Sequence, residues 1–234
     1  MIKKYKIYII TRQKSFNNQI QISLLFSILV SLIRIFIYNI SGKMFQIFRA
    51  HVDKFIEIDD QEFEKISSFF RVKRFRKKEE LMTAGEICRY HFFVLKGCLR
   101  KFYITSKGSE QTTEFAIENW WLTDNMAYEH QLRTDFSIQA VENSEVLVID
   151  HQNQERLLKE YPIMERYFRY VYQRSYAAAQ MRVRYIYTFS KEEMYLHFLE
   201  QQPQFVQRIP QYLIASFLGL TPEYLSEIRA KKIS

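Results

Sequence analysis

The chain reads as an α+β protein: an antiparallel β-roll of the jelly-roll (double-stranded β-helix) kind, then one long helix, then a C-terminal helix-turn-helix. Three observations carry this. Between Phe70 and Ile149, short strand-like runs are separated by glycine turns, the grammar of antiparallel sandwiches and rolls. After Tyr161-Pro162 a broad apolar stripe at helical spacing runs from about Ile163 to Tyr187. The last 24 residues, QYLIASFLGLTPEYLSEIRAKKIS, set a glycine between two short helical patterns.

The roll follows short amphipathic helices, marked between Met44 and Lys65 by Phe48, Val52, Phe55, Ile56 and Phe63. Acids at Asp59, Asp60, Glu62 and Glu64 suit a helix start, where free amides favour them. Strands are expected over 70–76, 91–95, 99–104, 110–117, 137–140 and 145–149, with turns at 82–86, 96–97 and 106–108. Long crossover helices are absent between them, which argues against a parallel α/β sheet.

In the long helix, Met164, Phe168, Val171, Tyr172, Ser175, Ala178, Ala179, Met181, Arg182 and Tyr185 form the stripe, and Ala177 to Ala179 permit close approach of another helix. Both intrachain packing and a dimer interface are consistent with that face. Ser190 and Glu193 form a capping box that opens a further helix, Met194 to Gln201.

In the final segment Leu213, Ile214, Phe217 and Leu218 form one helical face, and Gly219 supplies the positive φ of a tight turn. Leu220 plugs the angle between the helices, Thr221 is the N-cap and Pro222 the first helical residue. The inner side of the second helix is read as Tyr224, Leu225 and Ile228. A short rod held this way lies in a DNA major groove in this motif. Thr221, Glu223, Ser226 and Glu227 then face base edges or the groove, and Arg229, Lys231 and Lys232 face phosphates. Glu227 is the awkward member, since a carboxylate accepts from cytosine N4 but repels the backbone.

The domain boundaries expected are residues 1–43, an apolar N-terminal extension; 44–160, the roll; 161–187, the long helix; and 188–234, the helix-turn-helix domain. Within the extension Ile20 to Ile40 is apolar apart from Gln21, several serines, Arg34 and Asn39. An interior arginine costs about 2.5–3.5 kcal/mol at a bilayer centre, and no small-x-small cleavage site follows. Three readings stay open: an upstream extension outside the working protein, a membrane anchor, and an added helical element.

A net charge of +8 over 234 residues suits nucleic acid and also an anionic membrane surface. Only two cysteines occur, Cys88 and Cys98, too few for a disulfide framework. With His91 they offer soft ligands but stand in different expected strands, so no metal or other cofactor is assigned. His51, His91, His130, His151 and His197 are scattered, without HExxH, nucleophile elbow or P-loop, so no catalytic residue is named and the chain reads as a non-enzyme. The basic run RVKRFRKK, Arg71 to Lys78, fits either a DNA flank contact or a solvated strand edge blunted by charge.

The segments Leu81 to Trp121 and Ser137 to Asp150, the long helix, and Arg208 to Lys232 occur in an order and spacing that resembles the Crp/Fnr family of transcription regulators, Bacteroidetes-type, over about residues 48–232. The resemblance implies a cyclic-nucleotide-binding-like roll, a dimerising helix and a C-terminal winged helix on a palindromic promoter site. The partners it implies are double-stranded DNA, a second copy, RNA polymerase and an unidentified small-molecule effector, in a cytoplasmic protein. A membrane enters only if residues 20–40 are a real anchor.

Departures from the family pattern concern the effector. Asp124 stands at the position of the ribose-binding Glu, Thr123 at the preceding Gly, and Thr134 at the phosphate-binding Arg, with Arg133 beside it. Asp124, Arg133 and Thr134 are therefore weak effector-site candidates, in a roll that senses an unknown effector or none. Trp120 and Trp121 are further candidates to line an apolar pocket. Glu227 replaces the family's guanine-reading Arg, and the wing is expected to be truncated. The alternative is a ligand-sensing or protein-interaction module of the same fold that has lost DNA affinity.

Overall fold

The computed structural model describes residue 42 and residues 44–233, and contacts divide the chain into two compact units, 1–46 and 47–234. The apolar run at 20–40, with Arg34, lies outside the described residues. Among the described residues no helix is long and apolar enough to cross a membrane. In the first unit, residues 42 and 44–46 are helical. A helix over 44–52 (α1) carries Phe48, His51 and Val52 in the second unit, all buried. Helix α2 (Asp60–Ser67) starts at the acidic cluster, where the Asp59 carboxylate accepts the Glu62 N–H at 2.7 Å.

Eight strands follow: β1 (Arg71–Phe75), β2 (Glu80–Met82), β3 (Tyr90–Lys96), β4 (Leu99–Ile104), β5 (Glu110–Ala116), β6 (Trp121–Leu122), β7 (Ser137–Ala140) and β8 (Ser144–Asp150). A short helix α3 (Asn125–Glu129) lies between β6 and β7. They form two four-stranded sheets, ordered β1-β8-β3-β6 and β2-β7-β4-β5, with antiparallel ladders. β4 and β7 have the ends read from the sequence; β2 and β6, of three and two residues, are too short to show a period. Met82, Phe92, Val94, Leu99, Leu122, Tyr128, Ile138, Val146 and Val148 share the roll's core. The β3–β4 turn demands glycine: Gly97 has φ 104°, and a Cβ there would lie 2.3 Å from Ser144 Oγ.

The cysteines are corrected by the structure. Neither stands in a strand; they occupy the loops on either side of β3, both free and fully buried. Burial raises both thiols, Cys98 to about 12, so neither is a ready thiolate at neutral pH.

β3 is buried on both faces. Phe92 and Val94 point into the roll, while His91 and Phe93 meet an aromatic layer from α1 and the long helix. At its centre Tyr167 Oη accepts from Trp121 Nε1 at 2.8 Å. His51 Nδ1 lies 2.8 Å from the same oxygen, the direction of that hydrogen bond being set by the His51 tautomer. Burial, with Lys54 and Arg174 nearby, lowers His51 to about 4; burial also lowers His91, packed on Trp121, Tyr128 and Phe168, to about 3.

These histidines set a pH dependence. Both folded values lie below 6.5, so the unfolded chain binds more protons as pH falls. Stability is full above about pH 6.5 and declines below it, by roughly 2 kcal/mol per histidine down to pH 5. Urea midpoints at pH 7.5 and pH 5 should show this loss, and His91→Phe should remove about half of it. An unchanged slope in the variant would place the acid sensitivity elsewhere.

Helix α4 (His151–Glu160), which the sequence reading did not anticipate, is capped by Asp150, whose carboxylate accepts the Asn153 N–H at 2.8 Å. Tyr161-Pro162 separates it from α5 (Ile163–Thr188), the long helix. Only Met164, Tyr167 and Phe168 of α5 are buried. From there Tyr172, Tyr176, Ala179, Val183 and Ile186 are all exposed, spaced 4, 3, 4 and 3 apart, the a/d spacing of a coiled-coil seam. Ser175, Ala178 and Met181 of the stripe read from the sequence are exposed as well, and one member of that stripe departs from it. Arg182 is not in it but turns inward, donating to Thr113 O and, at 2.9 Å, to Phe217 O, with its guanidinium 4.0 Å from the Phe217 ring.

The C-terminal helices are α6 (Lys191–Gln201), α7 (Pro203–Arg208), α8 (Gln211–Leu218) and α9 (Pro222–Ile233). α6 opens with both halves of the expected capping box. Tyr195, Phe205, Leu213, Ile214, Leu220, Leu225 and Ile228 share a core with Cys98, Phe115 and Val141 of the roll. Polar contacts tie the same surfaces. Arg208 pairs with Glu118 (2.8 Å) and Glu142, and Ser216 Oγ accepts the Thr112 N–H at 2.9 Å.

Candidate nucleic-acid interface and effector pocket

The turn between α8 and α9 is built by Gly219, at φ 68° and ψ 34°. Leu220 N–H donates to Ala215 O at 2.8 Å and Gly219 N–H to Ser216 O at 3.3 Å, the paired bonds of a Schellman ending. Leu220 is buried beneath the turn. Thr221 caps α9, its Oγ1 accepting the Tyr224 N–H at 3.2 Å and its carbonyl the Leu225 N–H at 3.1 Å, with Pro222 in the first turn.

Among the described side chains of α9, Leu225 and Ile228 alone are buried in the core. Tyr224, expected on the inner side, is 39% exposed, a correction that follows from the narrow buried face. Thr221, Glu223, Ser226, Glu227, Arg229 and Lys231 are all exposed. The Ser226 hydroxyl donates to Pro222 O at 2.9 Å, so its lone pairs face outward. Lys232 is within the helix, but its side chain lies outside the described residues. α9 therefore presents two carboxylates near its start and cations toward its end.

The three effector-site candidates separate into a bonded pair and a loner. Asp124 caps α3, with one carboxylate oxygen 3.3 Å from the Ala127 N–H and the other accepting from Thr134 Oγ1 at 2.8 Å. Thr134 is buried; its neighbour Arg133 is exposed and donates to Gly85 O. Successive residues thus face opposite ways, as expected for extended chain. The loop 129–135, which the sequence left unconstrained, is held by Leu132 N–H to Ala127 O and Cys88 N–H to Leu132 O, 2.8 and 2.9 Å.

Arg133 instead lines a cleft of about 420 Å³ with Met82, Tyr90 and Phe92 at its base and Glu86 and Arg89 on its rim. Trp120 and Trp121 are not among its walls. Trp120 is 45% exposed beside Phe205, and Trp121 belongs to the aromatic layer.

Two buried cations escaped the sequence reading. Lys101 Nζ donates to Thr123 O at 3.1 Å and pairs with Glu114 at 2.7 Å, bracing the strand that leads into α3. Arg100 pairs with Glu110 at 2.6 Å and donates to Gln139. No local signal marks them, because their acids come from the neighbouring strand. Arg208, half-buried, was missed for the same reason, with both carboxylate partners more than sixty residues away in sequence. Its paired contacts raise its pKa. Glu118 is held below the usual carboxylate range although burial opposes this, because Arg208 and the Gly97 N–H both donate to it. Among the described residues no group of three His, Cys, Asp or Glu side chains is placed to hold a metal ion.

Residues 72–161 match the family model of the cyclic nucleotide-binding domain. Among solved structures, FixK2 from Bradyrhizobium japonicum aligns with a TM-score of 0.61 and 17% identity, over 69% of this chain and 83% of that one. A mutant CooA from Carboxydothermus hydrogenoformans aligns at 0.57 and 20%, over 71% and 78%. CLP, a c-di-GMP responsive global regulator of Xanthomonas campestris, aligns at 0.57 and 12%, over 74% and 91%. At these identities the likeness is one of fold, and it extends beyond the roll to the C-terminal helices. No curated protein sequence matches the chain significantly.

Proposed function

We propose that this chain is a dimeric, sequence-specific DNA-binding transcription regulator of the Crp/Fnr family, with residues 44–160 as roll, 161–187 as dimerising helix and 188–234 as DNA-binding domain. The observation that carries the reading is α9: a capped helix whose polar face from Thr221 to Lys231 is exposed while Leu225 and Ile228 are buried in the core. Thr221, Glu223, Ser226 and Glu227 approach the bases; Arg229, Lys231 and Lys232 approach phosphates. The seam on α5 pairs with its copy in a second chain, setting two α9 helices on half-sites about 34–36 Å apart. A promoter site read this way is palindromic, and RNA polymerase is the downstream partner.

A cyclic nucleotide fits the roll poorly, since Asp124 and Thr134, which stand where sugar and phosphate contacts would form, satisfy each other. The cleft lined by Arg133 is the effector site that this reading offers. Glu223 and Glu227 on the exposed face favour a second reading, a regulatory module of this fold without DNA affinity.

Selection of duplexes from a random pool by the full chain separates the two. Enrichment of a palindrome supports the first reading, and no enrichment favours the second. Glu227→Gln should then change the preferred base at one position per half-site, a discrimination of about 1–3 kcal/mol. An unchanged preference would remove Glu227 from the readers.

A further inference from the structure

The net charge of the chain is concentrated at one end. Of 34 Lys and Arg residues, eight fall in residues 1–52, where no Asp or Glu occurs, so residues 53–234 carry 26 cations against 26 acids. The excess of +8 lies wholly ahead of Asp53. Residues 188–234 are themselves neutral, with five charges of each sign, so the excess is not the electrostatic footprint of α9. Five of the eight cations, Lys3, Lys4, Lys6, Arg12 and Lys14, precede the apolar stretch Ile20 to Ile40, and the chain runs from that stretch into α1.

Just after α1 comes a cationic face. Phe55 and Tyr170 of α5, both half-buried, stack with ring centres 5.7 Å apart. Arg169 and Arg166 lie 4.9 and 5.8 Å from the Tyr170 centre, and Arg174 lies 5.8 Å from that of Phe55. Positions 166, 170 and 174 repeat every four residues, so they share one side of α5, clear of the seam at Tyr172, Tyr176 and Val183. Lys54 and the three arginines are exposed, and among the described residues none of them pairs with a carboxylate. Of the acids near them in sequence, Asp53 is paired with Arg49 at 2.7 Å, while Glu57 and Glu165 are exposed and outside any ion pair. Four cations are thus set against two free carboxylates. Along α5 as a whole Glu165 is the one acid against five arginines.

We propose that the face of Lys54, Arg166, Arg169 and Arg174 docks on the surface of an anionic lipid bilayer. This goes beyond the DNA-binding reading and does not rest on it. Cations clustered on a helix face attract anionic headgroups, each strengthening attachment about fivefold. An apolar stretch followed in the chain by a cationic face supplies the two signals that stable attachment takes. Arginine stems and half-buried rings suit a boundary that is apolar on one side and wet on the other. A duplex offers the same charge, but it has no means to take up the apolar stretch that leads into this face.

The test is flotation of the full chain with vesicles of phosphatidylcholine alone and with phosphatidylserine added. The wild type should attach to the anionic vesicles at least about tenfold more tightly, a difference that salt diminishes. Arg166→Gln/Arg169→Gln/Arg174→Gln should weaken attachment to the anionic vesicles about a hundredfold with an unchanged thermal midpoint, and Arg169→Gln alone about fivefold. Arg166→Lys/Arg169→Lys/Arg174→Lys should keep it. Equal attachment of the wild type to both vesicles, or an anionic attachment unaltered in the glutamine variants, overturns the proposal. Loss of affinity for a duplex of random sequence in those variants, with vesicle attachment intact, overturns it in favour of nucleic acid. Enrichment of a palindrome by the wild type is independent of all these outcomes, so failure here leaves the α9 reading standing.

Discussion

Replacing Gly219 with valine is expected to abolish detectable DNA binding, whereas Gly219→Asn should retain most of it. No atom lies within 4 Å of a Cβ at this position, so the effect is one of backbone conformation and not of collision. At φ 68° a β-branched residue costs about 1–3 kcal/mol; asparagine tolerates the left-handed region. The free protein relieves that strain by letting the turn open, which unseats Leu220 and the Thr221 cap, and DNA binding must then restore both. In a dimer the cost enters twice, so a middle value of about 2 kcal/mol per subunit weakens binding by roughly a thousandfold. Gel shifts with the selected duplex measure it. Wild-type affinity in the valine variant would show that α9 is not positioned by this turn.

A comparable loss is expected from the paired substitution Tyr176→Glu/Val183→Glu on α5. Both side chains are more than half exposed in the single chain, at 66% and 52%, so each chain should fold as before. Facing their own copies across a seam, four carboxylates would repel and lose hydration. The variant should sediment as a monomer at micromolar concentration. Affinity for the palindrome should fall by about 10²–10⁴, the usual gain from linking two binding modules. A variant that stays dimeric would show that the exposed spacing on α5 is not the interface. Arg182→Ala is the informative contrast. It removes the contacts with Thr113 and Phe217, so it should loosen the helix-turn-helix from β5 without changing the association state.

Legibility followed range. The Schellman turn at Gly219, the capping box at Ser190 and Glu193, and the glycine turn at Gly97 each satisfy hydrogen bonds or dihedral needs within a few residues. Such features can be read along the chain. β4 and β7 were legible to the residue because tight turns or polar breaks bound them. α3, α4 and α7 were not: α3 is five residues held by a cap at Asp124, and α7 is a single proline-led turn and a half. The apolar surface of α5 was legible, but its allocation was not. Arg182, counted in the stripe by spacing, is drawn inward by carbonyls of β5 and α8 that no window around it contains.

The order of elements, the glycine turns, the helix caps and the polar face of α9 follow from local chemistry, since each depends on dihedral preference and on donors a few residues away. Folding in three dimensions assigned the partners. It turned Asp124 and Thr134 toward each other and Arg133 toward the cleft, buried Lys101 against Glu114, and joined Arg208 to Glu118 and Glu142 across the roll. A charge is inexpensive to bury only where an opposite charge converges on it. Which acid arrives depends on strand register and helix placement, quantities that a one-dimensional pattern does not contain.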